Sequence, residues 1–278
     1  MSYRLSYARL DPAHCLAPGL FRCIAPGRRH EGLHVWYEQR NGSVIQFSGS
    51  AMLGPDDMLL LAVLLAIVGR QCYGLPPVPQ TPVGRDLRDR LALDGVWGQC
   101  VTLAGAVTYR SMEEGLGYPH RSGGAAWRQM RKSIQRLETT RIVQDGLTPG
   151  ASQLLSYTES ASKPTTQWIA LNPRLAGAVD VKRKGRYTRI GLEDLRLLHR
   201  PASRILYTRL SAWVDPGASR RLMLDTAATY CYPESGTVKP ATRRKRLAVV
   251  SKALADLQLV NWLVTAEDGG RVSVSRPR

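Results

Sequence analysis

The sequence predicts an α+β fold in which one unit of two helices and a hairpin occurs twice. Each half contains a long segment whose apolar residues recur at i, i+3, i+7 and i+10, which places them on one helical face. These residues are Trp127, Met130, Ile134 and Leu137 in the first copy and Leu247, Val250, Leu254 and Leu257 in the second. The opposite faces are basic, with Arg128, Arg131 and Lys132 and then Arg244, Lys245 and Lys252.

The segments around the long helices repeat as well. Residues 111–119 and 225–233 each begin with a helix-capping residue and end in Tyr-Pro, which predicts a short helix. After each long helix an apolar strand, starting at Ile142 or Trp262, runs into a glycine turn. This order is that of a winged helix-turn-helix, and a repeat this long favours two fused domains over a solenoid. The predicted fold class is therefore α+β with two tandem winged-helix domains.

The elements before the first repeat start with an arm, residues 11–32, that is rich in proline and glycine. Two strands follow, joined by the Asn41-Gly42 turn, a strong signal for a hairpin. The apolar run 58–68 predicts a core helix over residues 55–70, with Asp56 or Asp57 as its cap.

Shorter elements connect this helix to the rest of the first half. A proline-rich loop at residues 75–82 leads to a helix at 84–93, and a strand at 101–107 precedes the first helix pair. Residues 153–157 and 167–171 would form the wing that closes the half.

The basic stretch Lys182-Arg183-Lys184-Gly185-Arg186 is interpreted as the boundary between two domains, residues 1–181 and 182–278. The second domain begins with a strand or helix start at residues 187–198. A helix over residues 201–214 follows, ending where Asp215-Pro216-Gly217 stops it. The short helix from Asp225, the long helix after Pro240 and a hairpin with its tip at residues 267–271 complete the chain.

Composition indicates a polyanionic partner. The chain has 278 residues and a formal net charge of +17, and so much uncompensated positive charge favours nucleic acid or an anionic membrane. A spanning helix needs about twenty apolar residues, far more than the run at residues 58–68 provides, so nucleic acid is favoured. The first eleven residues lack the apolar core of a signal peptide, and a cytoplasmic location is expected.

The cysteines indicate neither a disulfide framework nor a zinc site. They are five in number, contain no Cys-x-x-Cys pair and stand at Cys15, Cys23, Cys72, Cys100 and Cys231. His14 beside Cys15, and His30 with His34, lack the usual spacing of zinc ligands. We therefore expect no metal and no cofactor, and interpret the cysteines as ordinary thiols.

The basic faces of the two long helices are the candidate DNA-binding surface. In the second copy no acidic residue lies within 235–255, and small Ala248 and Ser251 would allow close approach to a groove. Arginine can bind a guanine edge through two hydrogen bonds, whereas lysines at the margin suit phosphates. The predicted DNA-binding residues are Lys239, Thr242, Arg243, Arg244, Lys245, Ala248, Ser251, Lys252 and the wing residue Arg271, with Arg128, Arg131 and Lys132 in the first copy.

The two copies are expected to do unequal work. Residues 242–252 carry the denser charge and precede a wing tipped by arginine, so we expect them to read sequence while Arg128, Arg131 and Lys132 chiefly contact the backbone. A merely solvated basic face is the alternative, and it weighs more heavily for the first copy. The stretch 182–186 is interpreted as a solvated linker in preference to a DNA contact.

Motifs of DNA-handling enzymes are absent from the sequence. It contains no Gly-Lys-Ser or Gly-Lys-Thr of a Walker phosphate loop and no His-x-His pair for the metal of a nicking enzyme. The carboxylate pair Glu113-Glu114 is better explained by helix capping, since Glu114 follows Ser111 by three. Tyr109, Tyr118 and Tyr232 are interpreted as core aromatics with a polar tip. We therefore expect a protein without catalytic activity.

Several segments resemble the replication initiator protein C of IncQ-type broad-host-range plasmids. They are DPAHCLAPGLFR at residues 11–22, IALNP at 169–173, AWVDPG at 212–217, TRRKRL at 242–247 and SRP at 275–277. The resemblance covers essentially the whole chain and implies paired winged-helix domains. Members would bind directly repeated iterons in double-stranded origin DNA and help to open the adjacent AT-rich duplex. A separate plasmid-encoded helicase and primase would then act.

Two other functions remain open. A winged-helix transcriptional regulator would use the same helices, but most repressors bind palindromes as two-fold dimers, whereas an iteron-binding protein can engage a direct repeat as a monomer. An accessory scaffold that recruits helicase or primase would contact DNA only secondarily. The arm at residues 11–32 and the hairpin at Asn41 are the candidate recruiting surfaces, and a homodimer remains an alternative to a monomer.

Overall fold

The computed structural model describes residues 5–25, 27–29, 31–118, 123–146, 149–160, 163–182, 185–233 and 238–278. The chain is a mixed α+β protein, as the sequence predicts. Four of the predicted features fall on residues outside these ranges, namely His30, Pro119, Arg183 and Lys184.

The first half contains the following elements in chain order: β1 (Tyr7–Leu10), α1 (Pro12–Leu16), β2 (Leu33–Glu38), β3 (Val44–Gly49), α2 (Pro55–Gln71), β4 (Tyr73–Leu75), α3 (Pro82–Leu91), β5 (Asp94–Gly95), β6 (Thr102–Thr108), α4 (Tyr109–Leu116), α5 (Gly123–Glu138), β7 (Arg141–Gln144), β8 (Gly150–Gln153), β9 (Leu155–Ser160), β10 (Lys163–Leu171) and α6 (Pro173–Val179). The second half continues with β11 (Thr188–Gly191), α7 (Leu192–Leu197), α8 (Pro201–Trp213), β12 (Ser219–Met223), α9 (Leu224–Cys231), α10 (Pro240–Asp256), β13 (Leu263–Glu267) and β14 (Arg271–Ser275).

The core is built around α2, whose residues 57–68 are all buried. An apolar run without a polar face requires neighbours on every side, and strands and helices from both halves pack against α2. The cap position of α2 is Gly54 and not Asp56 or Asp57, which lie in the first helical turn, but the Asp57 carboxylate completes the cap by accepting the Gly54 N–H at 2.8 Å. The same buried carboxylate accepts hydrogen bonds from Arg29 at 2.7 Å and from Arg136 of α5 at 2.6 Å. Asp57 therefore fixes the first long helix on the central one.

The predicted order of short helix, long helix and hairpin occurs in both halves, but the sheets around it differ. In the second half β12 precedes α9 and pairs with β14, giving a sheet of order β12-β14-β13. In the first half β6 precedes α4 and pairs with β10, in a sheet of order β4-β6-β10-β9. The hairpin β9–β10, predicted as the wing, is therefore the counterpart of β13–β14.

The predicted equivalence of the strand starting at Ile142 with the strand starting at Trp262 is wrong. The strand at Ile142, β7, pairs with β3 and β8 in a five-stranded sheet of order β2-β3-β7-β8-β5. The hairpin β7–β8 is thus an insertion that extends the predicted β2–β3 hairpin. Strand partners distant in sequence leave no trace in the local pattern of apolar residues, which accounts for the error.

The N-terminal arm is not irregular throughout. Asp11 caps α1 by accepting the Ala13 N–H at 3.0 Å, and Ala13, His14 and Cys15 are buried. Arg174 of α6 donates to the Asp11 carboxylate at 2.9 Å. The buried residues of this segment are small and lie between prolines and glycines. Composition therefore did not predict that the segment is packed against the core.

Two predicted caps are placed differently by the structure. The cap of α4 is Thr108, which exchanges hydrogen bonds with Ser111 in a capping box, so Glu114 plays no part in it. Glu114 instead pairs with Arg110 at 3.1 Å. The cap position of α9 is Met223, and Asp225 lies in the first helical turn. The caps lie three residues earlier than predicted for α4 and two residues earlier for α9.

The two halves are joined along the predicted boundary. Strand β1 pairs antiparallel with β11, and one continuous cluster of buried apolar residues includes members of both halves. The division into domains 1–181 and 182–278 stays a prediction. Among the described residues, no helix combines the length and the apolar character that crossing a membrane requires.

Candidate nucleic-acid interface

Helix α10 packs on α8 and α9 through one face and exposes the other. Val250, Ala253 and Leu254 are buried, as the predicted stripe requires, and Leu257 follows them into the core. Leu247, the first residue of the stripe, is half-buried because it lies near the start of the helix. Proline at the first helical position and the alternation of apolar with basic residues explain the local fold.

The outward face of α10 carries most of the predicted DNA-binding residues. Arg244, Ala248 and Ser251 follow one another at i, i+4 and i+7, and Lys245 and Lys252 flank Ala248. Among the described residues, no carboxylate forms an ion pair with Arg244, Lys245 or Lys252. The side chains that the structure places in solvent are those of Lys239, Thr242, Arg243, Arg244, Lys245, Ala248, Ser251 and Lys252.

Two arginines of α10 are held by neighbouring elements. Arg243 donates hydrogen bonds to both carboxylate oxygens of Asp225 in α9, at 2.9 and 2.7 Å. Part of the arginine's positive charge is therefore neutralised. Arg246, which the sequence analysis did not select, is half-buried with its guanidinium 5.0 Å from the ring centre of Tyr232. Arg244 is therefore the arginine of this helix best placed to reach a partner.

The wing β13–β14 brings further basic residues to the same half. Arg271 is exposed at the start of β14, directly opposite Met223 of β12 and Glu267 of β13. Glu267 accepts a hydrogen bond from Arg221 at 3.0 Å, which neutralises one of the two acidic residues at the tip of the wing. Arg221 and its neighbour Arg220 were missed because β12 was not predicted: the sequence SRRLM has only one buried residue, Leu222, and no alternation.

More of the positive charge predicted to bind DNA is neutralised on α5, the long helix of the first copy, than on α10. Arg131 of α5 pairs with Glu159 of β9 at 2.9 Å and donates to the hydroxyl of Tyr109 at 3.2 Å. Arg128 and Lys132 are exposed beside it. The helix thus presents two cations with no carboxylate partner among the described residues, where α10 presents at least three. This difference in charge agrees with the unequal roles expected of the two helices.

The tyrosines and carboxylates near α4 have structural contacts. Tyr109 is buried, stacks on Trp127 at 5.1 Å and accepts a hydrogen bond from Gln167 at 2.8 Å. The carboxylate of Glu113 is buried and accepts the indole N–H of Trp127 at 2.8 Å. The interpretation of Tyr118 as a core aromatic is wrong, because 42% of its surface is exposed where α4 has ended.

One pair of thiols lies beside the base of α10. The Cys23 N–H donates to the carbonyl of Cys231 at 2.8 Å, and a hydrogen bond from the Cys231 thiol lowers the pKa of Cys23. Burial raises the pKa of Cys15 to about 12. Within the described part of the chain, His, Cys, Asp and Glu form no group of three that could hold a metal ion.

Comparisons with known proteins identify the family of the chain and a similar fold. The model of the family described as Replication protein C (RepC) matches residues 2–278, which confirms the resemblance found in the sequence. The crystal structure of domain 2 and domain 3 of RctB has a similar fold, with a TM-score of 0.57 at 12% identity, over 96% of this chain and 99% of that one. No match was found among curated proteins. The chain belongs to the replication protein C (RepC) family.

Proposed function

We propose that this chain initiates plasmid replication by binding directly repeated iterons in double-stranded origin DNA and promoting local opening of the duplex. A separate plasmid-encoded helicase and primase would act on the opened strands, and the chain itself would contribute binding rather than catalysis. Its place of action would be the cytoplasm, where plasmid origins are. The observation that carries the proposal is the outward face of α10. There Arg244, Lys245 and Lys252, which have no carboxylate partner among the described residues, surround the small side chains of Ala248 and Ser251.

The proposal treats α4–α5 and α9–α10, each with its wing, as two tandem winged-helix units. The strand before the short helix pairs with the second strand of the wing in both units, which supports a common origin. In the second unit α10 would enter the major groove, with Arg244 at base edges and Lys245 and Lys252 at phosphates. Arg271 would reach the adjacent groove, and Lys239, Thr242, Arg243, Ala248 and Ser251 would lie along the contact. In the first unit Arg128, Arg131 and Lys132 would chiefly hold the DNA backbone.

Binding to an iteron duplex and to a scrambled duplex of equal length tests this proposal. We expect both affinities to fall with salt, because phosphate contacts release counterions, and the iteron duplex to bind about 10³-fold more tightly at physiological salt. Equal affinity for the two duplexes would overturn sequence-specific initiation. Sedimentation of the protein with an iteron duplex would then distinguish a monomer per repeat, which we expect, from a dimer.

A further inference from the structure

The pairing of β1 with β11 forms a two-stranded ribbon whose two faces differ sharply. Ala8 and Leu10 of β1, and Thr188 and Ile190 of β11, are buried against the core. The residues between them point outward: Tyr7 and Arg9 on one strand, and Arg189 on the other with Tyr187 just before it. The outward face of the ribbon therefore consists of two arginines and two tyrosines.

The two arginines face each other across the strands. Arg9 and Arg189 are direct partners in the antiparallel register, an arrangement in which like charges repel. Each guanidinium is stacked on a tyrosine of the opposite strand: Arg9 lies 4.2 Å from the ring centre of Tyr187, and Arg189 lies 4.5 Å from that of Tyr7. Stacking holds the flat face of each guanidinium and leaves its N–H edges available as donors.

Neither guanidinium is neutralised. Within the described part of the chain, no carboxylate forms an ion pair with Arg9 or Arg189. The neighbouring guanidinium of Arg276 donates to the carbonyl of Arg189 at 3.2 Å, which brings a third positive charge to the ribbon. The chain leading into β11 is basic as well, with no acidic residue between Asp180 and Glu193.

We propose that this ribbon is a second DNA contact, in which Arg9 and Arg189 bind phosphates of the duplex outside both recognition helices. Opposed arginines on aromatic platforms, without a carboxylate, match the charge of adjacent phosphodiesters, and arginine forms forked hydrogen bonds to phosphate oxygens. The contact reads no sequence, since it offers nothing aimed at base edges.

The ribbon also combines strands from both halves of the chain. Because its inner face belongs to the common core, its position relative to the two repeated units is fixed by packing rather than by a flexible tether. A phosphate contact here would therefore help to set the register of the protein on the duplex. The inference rests on the proposed binding of double-stranded DNA, and adds to it a surface that the pattern of helices alone does not identify.

The test compares R9Q/R189Q with the matched control R40Q/R85Q, which removes the same charge from exposed positions on the β2–β3 turn and on α3. Affinities for the iteron and the scrambled duplex are measured by fluorescence anisotropy over a series of salt concentrations. For R9Q/R189Q we expect the slope of log affinity against log salt to fall by about 2 on both duplexes, which is about one for each phosphate contact. The control should keep the wild-type slope.

Two further measurements separate binding from folding. R9K/R189K keeps both positive charges. The slope of its log affinity against log salt should therefore equal that of the wild type, even though the stacking on the tyrosines is weakened. The melting midpoint of R9Q/R189Q should stay near that of the wild type, because the opposed charges do not stabilise the ribbon.

A slope for R9Q/R189Q equal to that of the wild type, or a loss matched by R40Q/R85Q, would overturn the ribbon contact. If the wild type fails to distinguish the two duplexes, sequence-specific initiation fails instead. The ribbon would then still be judged by its slope on either duplex.

Discussion

At the scale of single residues, the environment of each arginine decides what it can do. Arg243 and Arg244 are neighbours in the sequence, yet Arg243 is bound to Asp225 through two hydrogen bonds while Arg244 has no carboxylate partner among the described residues. Because the Nε and Nη2 groups of Arg243 are held by a carboxylate, fewer of its N–H groups and less of its charge are available to a base or a phosphate. The basic run in the sequence does not reveal this difference, because Asp225 belongs to another helix.

Arg244 and Lys252 are therefore expected to respond differently to substitution. Arg244→Ala should weaken binding to the iteron and relax the preference at one base pair by about 1 to 3 kcal/mol. Lys252→Ala should weaken binding to all duplexes alike, because a phosphate contact carries no sequence information. Affinities for a set of iteron duplexes with single base-pair changes would measure both effects. Equal and uniform losses for the two variants would remove base reading from Arg244.

Asp11 is the residue for which a dependence on pH can be stated. Burial by itself raises the pKa of Asp11, but the hydrogen bond with His14 and the charge of Arg174 outweigh it, so the pKa lies below its ordinary value of 3.8. Asp11 therefore stabilises the fold above the pKa of the unfolded chain, and this contribution is lost as the pH falls through the lower pKa of the folded state.

Asp11→Asn should lower the free energy of unfolding by about 3 kcal/mol at neutral pH, since it leaves the partly buried guanidinium of Arg174 without its carboxylate. The difference from the wild type should begin to shrink as the pH falls below about 4, where the carboxyl of the unfolded chain becomes protonated, and it should be lost as the pH falls through the lower pKa of the folded state. Urea unfolding at a series of pH values measures it. Asp86→Asn, which breaks the exposed pair with Arg90, is the control and should cost less than about 1 kcal/mol. A difference that stays constant down to low pH would contradict the role of the Asp11 charge.

At the scale of elements, the sequence predicts those whose signal is local. The helices α2, α5 and α10 were found from their apolar spacing, and the β2–β3 hairpin from the Asn41-Gly42 turn. Strand β12 was missed because it has two adjacent arginines and a single buried residue, and helix α1 because it is only five residues long. Strand pairing is the harder part: the partner of β6 is β10, and only the folded chain brings the two together.

The candidate interface follows the same rule. The exposed face of α10 could be read from helical periodicity, and each predicted residue on it lies in solvent. The ribbon of Arg9 and Arg189 could not be predicted, because its two strands are separated by most of the chain. A short motif such as Tyr-x-Arg in one strand acquires its significance only from the matching residues of the other.

The packing of α10 should determine whether its basic face is presented at all. Leu254 is only 2% exposed, so Leu254→Ala should cost about 2 to 5 kcal/mol of unfolding free energy through the cavity it leaves. Leu259, which follows the helix and is 63% exposed, is the matched control, and its replacement by alanine should change stability by less than about 0.5 kcal/mol. Chemical denaturation measures both variants. Similar small losses would mean that α10 is not anchored by this stripe.

At the scale of the whole molecule, the two repeated units share their core. Strand β1 pairs with β11, and α1 packs against α8. Arg209 of α8 also donates a hydrogen bond to the carbonyl of Leu16 in α1. These contacts connect the residues near the start of β1 to the second unit, and they explain how α5 and α10 can keep a fixed relation within one body.

Unfolding of the chain should therefore be a single cooperative transition. Trp97, which is 4% exposed, reports on the first half and Trp262, which is 3% exposed, on the second, so fluorine NMR of fluorotryptophan-labelled protein can follow both during urea unfolding. We expect the two signals to change at the same denaturant concentration. Leu10→Ala removes a fully buried side chain of β1 and should shift both transitions together, by about 2 to 5 kcal/mol. Leu197→Ala, at a residue that is 52% exposed, should shift neither. If Trp262 kept its folded signal after Trp97 had lost its own, the halves would be independent domains, and the ribbon of β1 and β11 would not join them.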